Sequence, residues 1–183
     1  ANLSYRKDKI SFIGSLFARD GNYYQEQDDY AHFPDGLWYT YSPFQADISG
    51  FNGRADLQYQ VNEAWSVGAQ YLRNRTNYFI TDTPYTPVFA EDGSISRSLQ
   101  SEGEATLIPT VDAVNFNSDW QLGNSGKKLI LNLDYFYYLN PDTKQYNGVS
   151  TFTNPLSTQY YRGTNTNLQD VTNLSATLDL ELS

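Results

Sequence analysis

Apolar and polar residues alternate along most of this chain with a period of two. The clearest run lies between Lys127 and Tyr137, where Leu129, Leu131, Leu133, Tyr135 and Tyr137 fall on one side and Asn132 and Asp134 on the other. Successive side chains of a strand point to opposite faces, so the run predicts a β-strand with one greasy and one polar face. Ala55, Leu57, Tyr59 and Val61 alternate in the same way with Arg54, Asp56, Gln58 and Gln60. So do Trp65, Val67, Ala69 and Tyr71, then Val114, Phe116 and Trp120 against Asn115, Asn117 and Asp119, and finally Leu174, Ala176, Leu178 and Leu180. With "NLSYR" and "ISFIGSLFAR" near the start, about seven strands emerge. The expected fold is all-β: an antiparallel up-and-down meander in one segment, 1–183, with no domain boundary.

The connections decide what the greasy face touches. "KDK", "NEA" and "GNSGK" are short, and the last is a strong hairpin signal. "HFPDGLWYTYSPFQADISG", "TDTPYTPVFAEDGSISRSLQSEGE" and a Tyr/Asn/Thr-rich stretch before the last strand read as long polar connections. The turns near Asp8, Glu63 and Ser125 should therefore lie at one end, and the loops around Trp38, Asp92 and Asn154 at the other. Transmembrane barrels show this order of short turns and long loops, whereas soluble sandwiches vary their loops without it. The stripe from Leu129 to Tyr137 covers about nine residues, close to what a tilted strand needs to cross hydrocarbon. Tyr135 and Tyr137 at one end, and Trp65 and Trp120 by the short turns, sit where aromatic girdles would. The strands are thus expected to form part of a larger transmembrane β-barrel with its greasy face in lipid. Half-buried strands of a soluble protein alternate too, so the alternative is a soluble or surface-exposed β-rich binding module, for example for carbohydrate.

Composition narrows the partners. The 183 residues carry 12 Lys+Arg against 21 Asp+Glu, a net charge of -9. That balance argues against a nucleic-acid partner, because phosphate neutralisation needs clustered cations. A mean hydropathy of -0.59 suggests a water-soluble chain, but barrels with polar linings and loops score the same way. Cysteine is absent, which removes disulfides and thiolate metal sites from consideration.

The segments "NLSYRKDKISFIGSLFARDGNYYQEQDDYAHFPDG", "GRADLQYQVNEAWSVGAQYL", "FNSDWQLGNSGKKLILNLDYFYYL" and "NLSATLDLEL" resemble successive hairpins of the outer-membrane barrel of TonB-dependent receptors. The similarity is to the group with a carboxypeptidase-regulatory-like N-terminal domain, and it covers nearly the whole chain. The end departs from the pattern: "LDLELS" stands where the family often finishes on a Tyr-Thr-Leu-Pro-like sequence. The resemblance implies a barrel of about twenty-two strands around an N-terminal plug, in the outer membrane of a Gram-negative bacterium. About seven strands make only part of such a barrel, and an odd number of spans leaves the two ends on opposite sides. It further implies nutrient transport, with outer-membrane lipid, the remainder of the barrel and plug, and the TonB energy-coupling system as partners.

No catalytic constellation surrounds the single histidine, His32, and the oxygen-rich turns "NPDTKQYNG" and "EDGS" lack the spacing of a calcium loop. Neither enzyme activity, a metal nor a cofactor is expected. Asp56, Asp119 and Asp134, on polar strand faces, fit a water-filled or plug-filled lumen. The candidate ligand-binding residues are Phe33, Trp38, Tyr39, Tyr41 and Phe44, read as loop aromatics able to stack on a ligand.

Overall fold

The computed structural model describes residues 1–123 and 126–182. Every regular element in them is a strand: β1 (Asn2–Lys7), β2 (Ile10–Phe33), β3 (Gly36–Asn62), β4 (Trp65–Asp82), β5 (Tyr85–Phe89), β6 (Ile95–Leu107), β7 (Thr110–Leu122), β8 (Lys127–Thr153) and β9 (Leu156–Glu181). They form one antiparallel sheet.

The nine elements make seven spans, as the alternation predicts. β5 prolongs β4: Phe44 faces Asp82, and three steps along each strand Tyr41 faces Tyr85, so the register on β3 does not slip. β6 and β7 are likewise one span laid along β8, from Arg97 opposite Phe152 to Leu122 opposite Lys127. The interruptions fall at Pro84 and Pro109, residues with no N–H to give the ladder. Flanking groups bond across both gaps: Thr83 N–H donates to Pro43 O (3.2 Å) and Ile108 N–H to Pro141 O (3.2 Å).

The spans are much longer than the sequence suggested. Stretches expected as long loops are strand: β2 and β3 turn over Pro34 and Asp35, and β8 and β9 over Asn154 and Pro155. Only Ala90 to Ser94, between β5 and β6, makes a longer tip. The positions of the two ends hold nonetheless. The turns at Asp8 and Glu63 share one end, called here the near end, and the tips at Asp35, Asp92 and Asn154 share the far end. The turn expected at Ser125 falls partly outside the described residues, and Gly123 and Gly126 flank it at the near end.

Register assigns every side chain to a face. Leu131 lies opposite Ser118 and Leu178, Ser118 opposite Val67, Val67 opposite Tyr59, and Tyr59 opposite Ile10. Following such rows, the apolar stripes of all seven spans fall on one face, the front. Leu3 and Tyr5, Phe12 and Leu16, Leu57, Val67 and Ala69, Phe116, Leu131 and Leu133, and Leu174 and Leu178 make one continuous band there. The back of that band is mostly polar, with Ile13, Leu72 and Ile130 as exceptions. Arg54 Nε donates to Asp56 Oδ2 (2.8 Å), and Gln70 donates to the same carboxylate. Asn115 donates to Asp134 Oδ1 (2.7 Å) and Ser175 to Asp134 Oδ2 (3.2 Å).

Among the described residues, no second layer covers the sheet. Among the described residues only Ala46 and Val88 are buried apolar side chains, and Leu174 on the front remains 75% exposed. The contacts that hold the sheet are ladder hydrogen bonds and cross-strand pairs.

Candidate functional site

At the near end of the band, Trp65 and Trp120 stack on the front with centroids 5.9 Å apart, and Trp65 Nε1 donates to Ser118 Oγ (2.9 Å). At the opposite limit of the band, Tyr71 donates to Asp112 Oδ1 (2.6 Å), beside Tyr135 and Tyr137. Beyond that line polar and aromatic residues occupy both faces, which is why period-two reading lost the strands there.

The five expected ligand-binding aromatics lie in this far half, on strands rather than loops: Phe33 ends β2, and Trp38, Tyr39, Tyr41 and Phe44 belong to β3. Strand parity divides them. Tyr39 and Tyr41 project from the front, whereas Phe33, Trp38 and Phe44 project from the back. They are therefore not one surface.

The back-face group forms a cluster at the far rim. Trp38 Nε1 donates to Asp35 Oδ1 (3.0 Å), and Phe33 packs edge-on to Trp38 with centroids 5.2 Å apart. Arg97, from β6, lies 4.6 Å from the Trp38 ring centroid and 5.3 Å from that of Phe152 on β8, and donates to Asp35 Oδ2 (3.3 Å). Val88, only 1% exposed, is packed between Trp38 and Arg97 in the same row. Thr153 Oγ1 donates to Ile95 O (3.0 Å), so three hairpin tips are tied together. Glycine is required at the base of this cluster: Gly36 has φ +132°, and a Cβ there would collide with Phe89 O. Further along the back, Tyr23 meets Phe44 edge-on at 5.8 Å, and Ala46 is wholly buried beside them.

The front-face pair has different chemistry. Tyr39 stacks on Tyr30 at 4.9 Å, and its hydrogen bond to the Asp28 carboxylate pushes the phenol up to about 12. Tyr41 is also raised, first by hydrogen bonding to Glu26 and then to Tyr24. Tyr39 thus donates to the Asp28 carboxylate, and Tyr24, beside Tyr41, donates to Glu26 Oε1 (2.8 Å). His32, exposed on the front near the tip, stands outside the back-face cluster. No group of three metal-binding side chains occurs among the described residues.

Arg97, Phe152 and Val88 were not legible as site residues, because Val88 and Arg97 meet Trp38 from strands 50 or more positions away in the sequence, and Phe152 joins through Arg97 from further still. The splitting of the five aromatics could have been found. Counting by twos from Leu57 places Tyr41 and Tyr39 on its face and Trp38 and Phe44 on the other.

Compared with protein-family models and with curated proteins, the chain matches none. The geometry itself offers a stacking and hydrogen-bonding surface.

Proposed function

We propose that this chain is part of the barrel wall of an outer-membrane TonB-dependent receptor, taking up a scarce nutrient across the outer membrane of a Gram-negative bacterium. One observation carries the membrane part of this reading: a band of apolar side chains runs across all seven spans on one face, is backed by hydrogen-bonded polar groups, and is covered by nothing. Roughly nine residues at about 3.3 Å each make the stripe about 30 Å long along the strand, which at a tilt of about 35–45° spans about 21–25 Å of depth, close to the apolar band of a transmembrane barrel. Aromatic residues border it on both sides, as at a lipid–water boundary. The back face then lines the lumen, where Asp56 and Asp134 remain hydrated, and Phe33, Trp38 and Phe44 face whatever enters from outside. The TonB-dependent part rests on the resemblance of the hairpins described above. The soluble alternative would have to leave Leu133, Leu174 and Leu178 in water, since no second sheet packs on them.

The test uses single cysteines at Ser94, Asn154 and Glu63, in a chain that has none of its own. An impermeant thiol reagent added to whole cells should label the first two and spare Glu63, because long extensions and tips lie outside and brief turns face the periplasm. Labelling at all three sites would exclude a membrane span, and labelling at Glu63 alone would invert the orientation. Loss of one energy-dependent uptake on deletion of the protein supports the receptor reading. Uptake that persists without the energy-coupling system overturns its TonB dependence.

A further inference from the structure

Resting on the membrane reading above, we propose that Arg73 and Arg75 form a front-face site for the phosphate of an outer-leaflet lipid. The two residues are next neighbours on the same face of β4, immediately past Tyr71, where the apolar band ends. Two residues of strand separate their Cα atoms by roughly 7 Å, a spacing that lets both guanidiniums reach one phosphorylated headgroup. Arg73 is held from one side by Asp112, with Nη1 to Oδ1 at 3.4 Å, and Asp112 is itself fixed by the Tyr71 hydroxyl. A guanidinium has five N–H donors, so this single contact leaves most of the fork available. Arg75 is exposed and makes no ion pair with any described residue.

Lys7 and Lys127 lie on the front at the near end, but past the far border of the band Arg73 and Arg75 are the one adjacent pair of cations among the described front residues. Beyond the band that face carries Asp20, Asp47, Glu102 and Glu104, and Arg162 is its remaining arginine, far along β9. An approaching phosphate is repelled over most of the face and attracted at the band's border. Phe51 lies directly opposite Arg75, and Leu16 opposite Gly53, which faces Arg73. Apolar surface for an acyl chain therefore adjoins cationic surface for a headgroup. Arginine binds phosphate oxygens in pairs with charge-assisted hydrogen bonds, and a lipid supplies the acyl contact that free phosphate lacks.

The experiment extracts the full-length protein from outer membranes in mild detergent and measures retained lipid by native mass spectrometry, with diphosphorylated lipid A and its dephosphorylated form as probes. The intact protein should retain lipid A and not the dephosphorylated form. Arg73→Gln with Arg75→Gln should reduce retention about tenfold or more, as expected for losing at least 1.4 kcal/mol of charge-assisted contact. Arg162→Gln should retain lipid A as the parent does. The milder pair Arg73→Lys with Arg75→Lys keeps the charge and tests the fork, and should fall between. Equal retention by the glutamine variant, or displacement of lipid A by inorganic phosphate, overturns the lipid site while leaving the barrel intact. Absence of the protein from the outer-membrane fraction overturns the membrane reading itself.

Discussion

The near and far halves of this sheet are built from the same strands but obey different rules. In the near half the two faces differ sharply: leucine, valine and tryptophan on the front, amides and carboxylates on the back. In the far half, tyrosine, threonine, asparagine and acids appear on both. The strands run through unchanged because the ladder does not depend on side-chain contrast. At about 3.3 Å per residue, the 27 residues of β3 or β8 reach roughly 90 Å, about three times the length of the apolar stripe along the same strand. Backbone pairing thus sets the length of the sheet, and side-chain contrast is confined to the band proposed to meet lipid.

The strongest way to break this comparison is to place one charge in each half of a single strand. Leu131→Arg, on the front of β8 within the band, should cost about 2–4 kcal/mol in a lipid bilayer. Gln145→Arg, on the same strand and face but in the far half, should stay within about 0.5 kcal/mol. Equilibrium unfolding from bilayers reads both, and equal costs would abolish the distinction. Asn132→Arg, adjacent to Leu131 but on the back, should be tolerated far better than Leu131→Arg.

A smaller effect probes the back of the band. Asp134→Ala removes the acceptor shared by Asn115 and Ser175, and should cost about 1 kcal/mol per hydrogen bond or less at this exposed position. Asp134→Asn keeps an acceptor and should recover part of that loss. At the far rim, Trp38→Ala removes one of two rings over the Arg97 guanidinium, with an expected loss of about 0.5–1 kcal/mol. The change should stay local, seen as faster amide hydrogen exchange at the Asp35 and Ala90–Ser94 tips and none in the band.

The smallest effect is a titration. Asp92, in the tip between β5 and β6, is held below its ordinary value of 3.8, first by the Ser94 hydroxyl and then by the Ser94 N–H. The ionised form is the one bonded in the folded tip. Its stabilisation is therefore complete above 3.8 and is lost as pH falls through the lowered value. Ser94→Ala removes the hydroxyl but not the N–H, and should move the carboxyl midpoint part of the way back, as read by NMR.

Much of this was legible in the sequence, and the boundary of legibility is physical. The seven spans and their near-half faces follow from Leu129–Tyr137 and its counterparts, because a buried or lipid-facing side requires alternation. The far-half strands were hidden because Tyr24, Glu26 and Asp28 on one face and Tyr23, Gln25 and Asp29 on the other differ little in polarity. Pro43, Pro87 and Pro141 looked like loop residues, yet each sits within a strand. The candidate aromatics are recognisable as residue types but not as a group: taken as loop residues they carry no faces, whereas one strand running back from Leu57 puts Tyr39 and Trp38 on opposite sides. The Arg97 contacts depend on sheet order and could not be read locally.

Every ladder in the sheet joins spans that are neighbours along the chain. Each hairpin can therefore zip from its own turn, adding one rung at a time, and no pairing waits for a distant segment to arrive. Loop-closure entropy is met once at each short turn instead of across a long intervening chain. The time-limiting event is then not search between remote strands but the slow growth of very long rails, where an early one-residue slip would turn a whole apolar stripe to the wrong side. Crossed tyrosine–glycine pairs on the β8–β9 rails oppose such a slip. Tyr161 lies over Gly148 and Tyr146 over Gly163, so closely that a Cβ at either glycine would come within 2.5 Å of a ring atom. In the native register each ring fills the space over the opposite glycine, and a shifted register would set it against a residue with a side chain of its own.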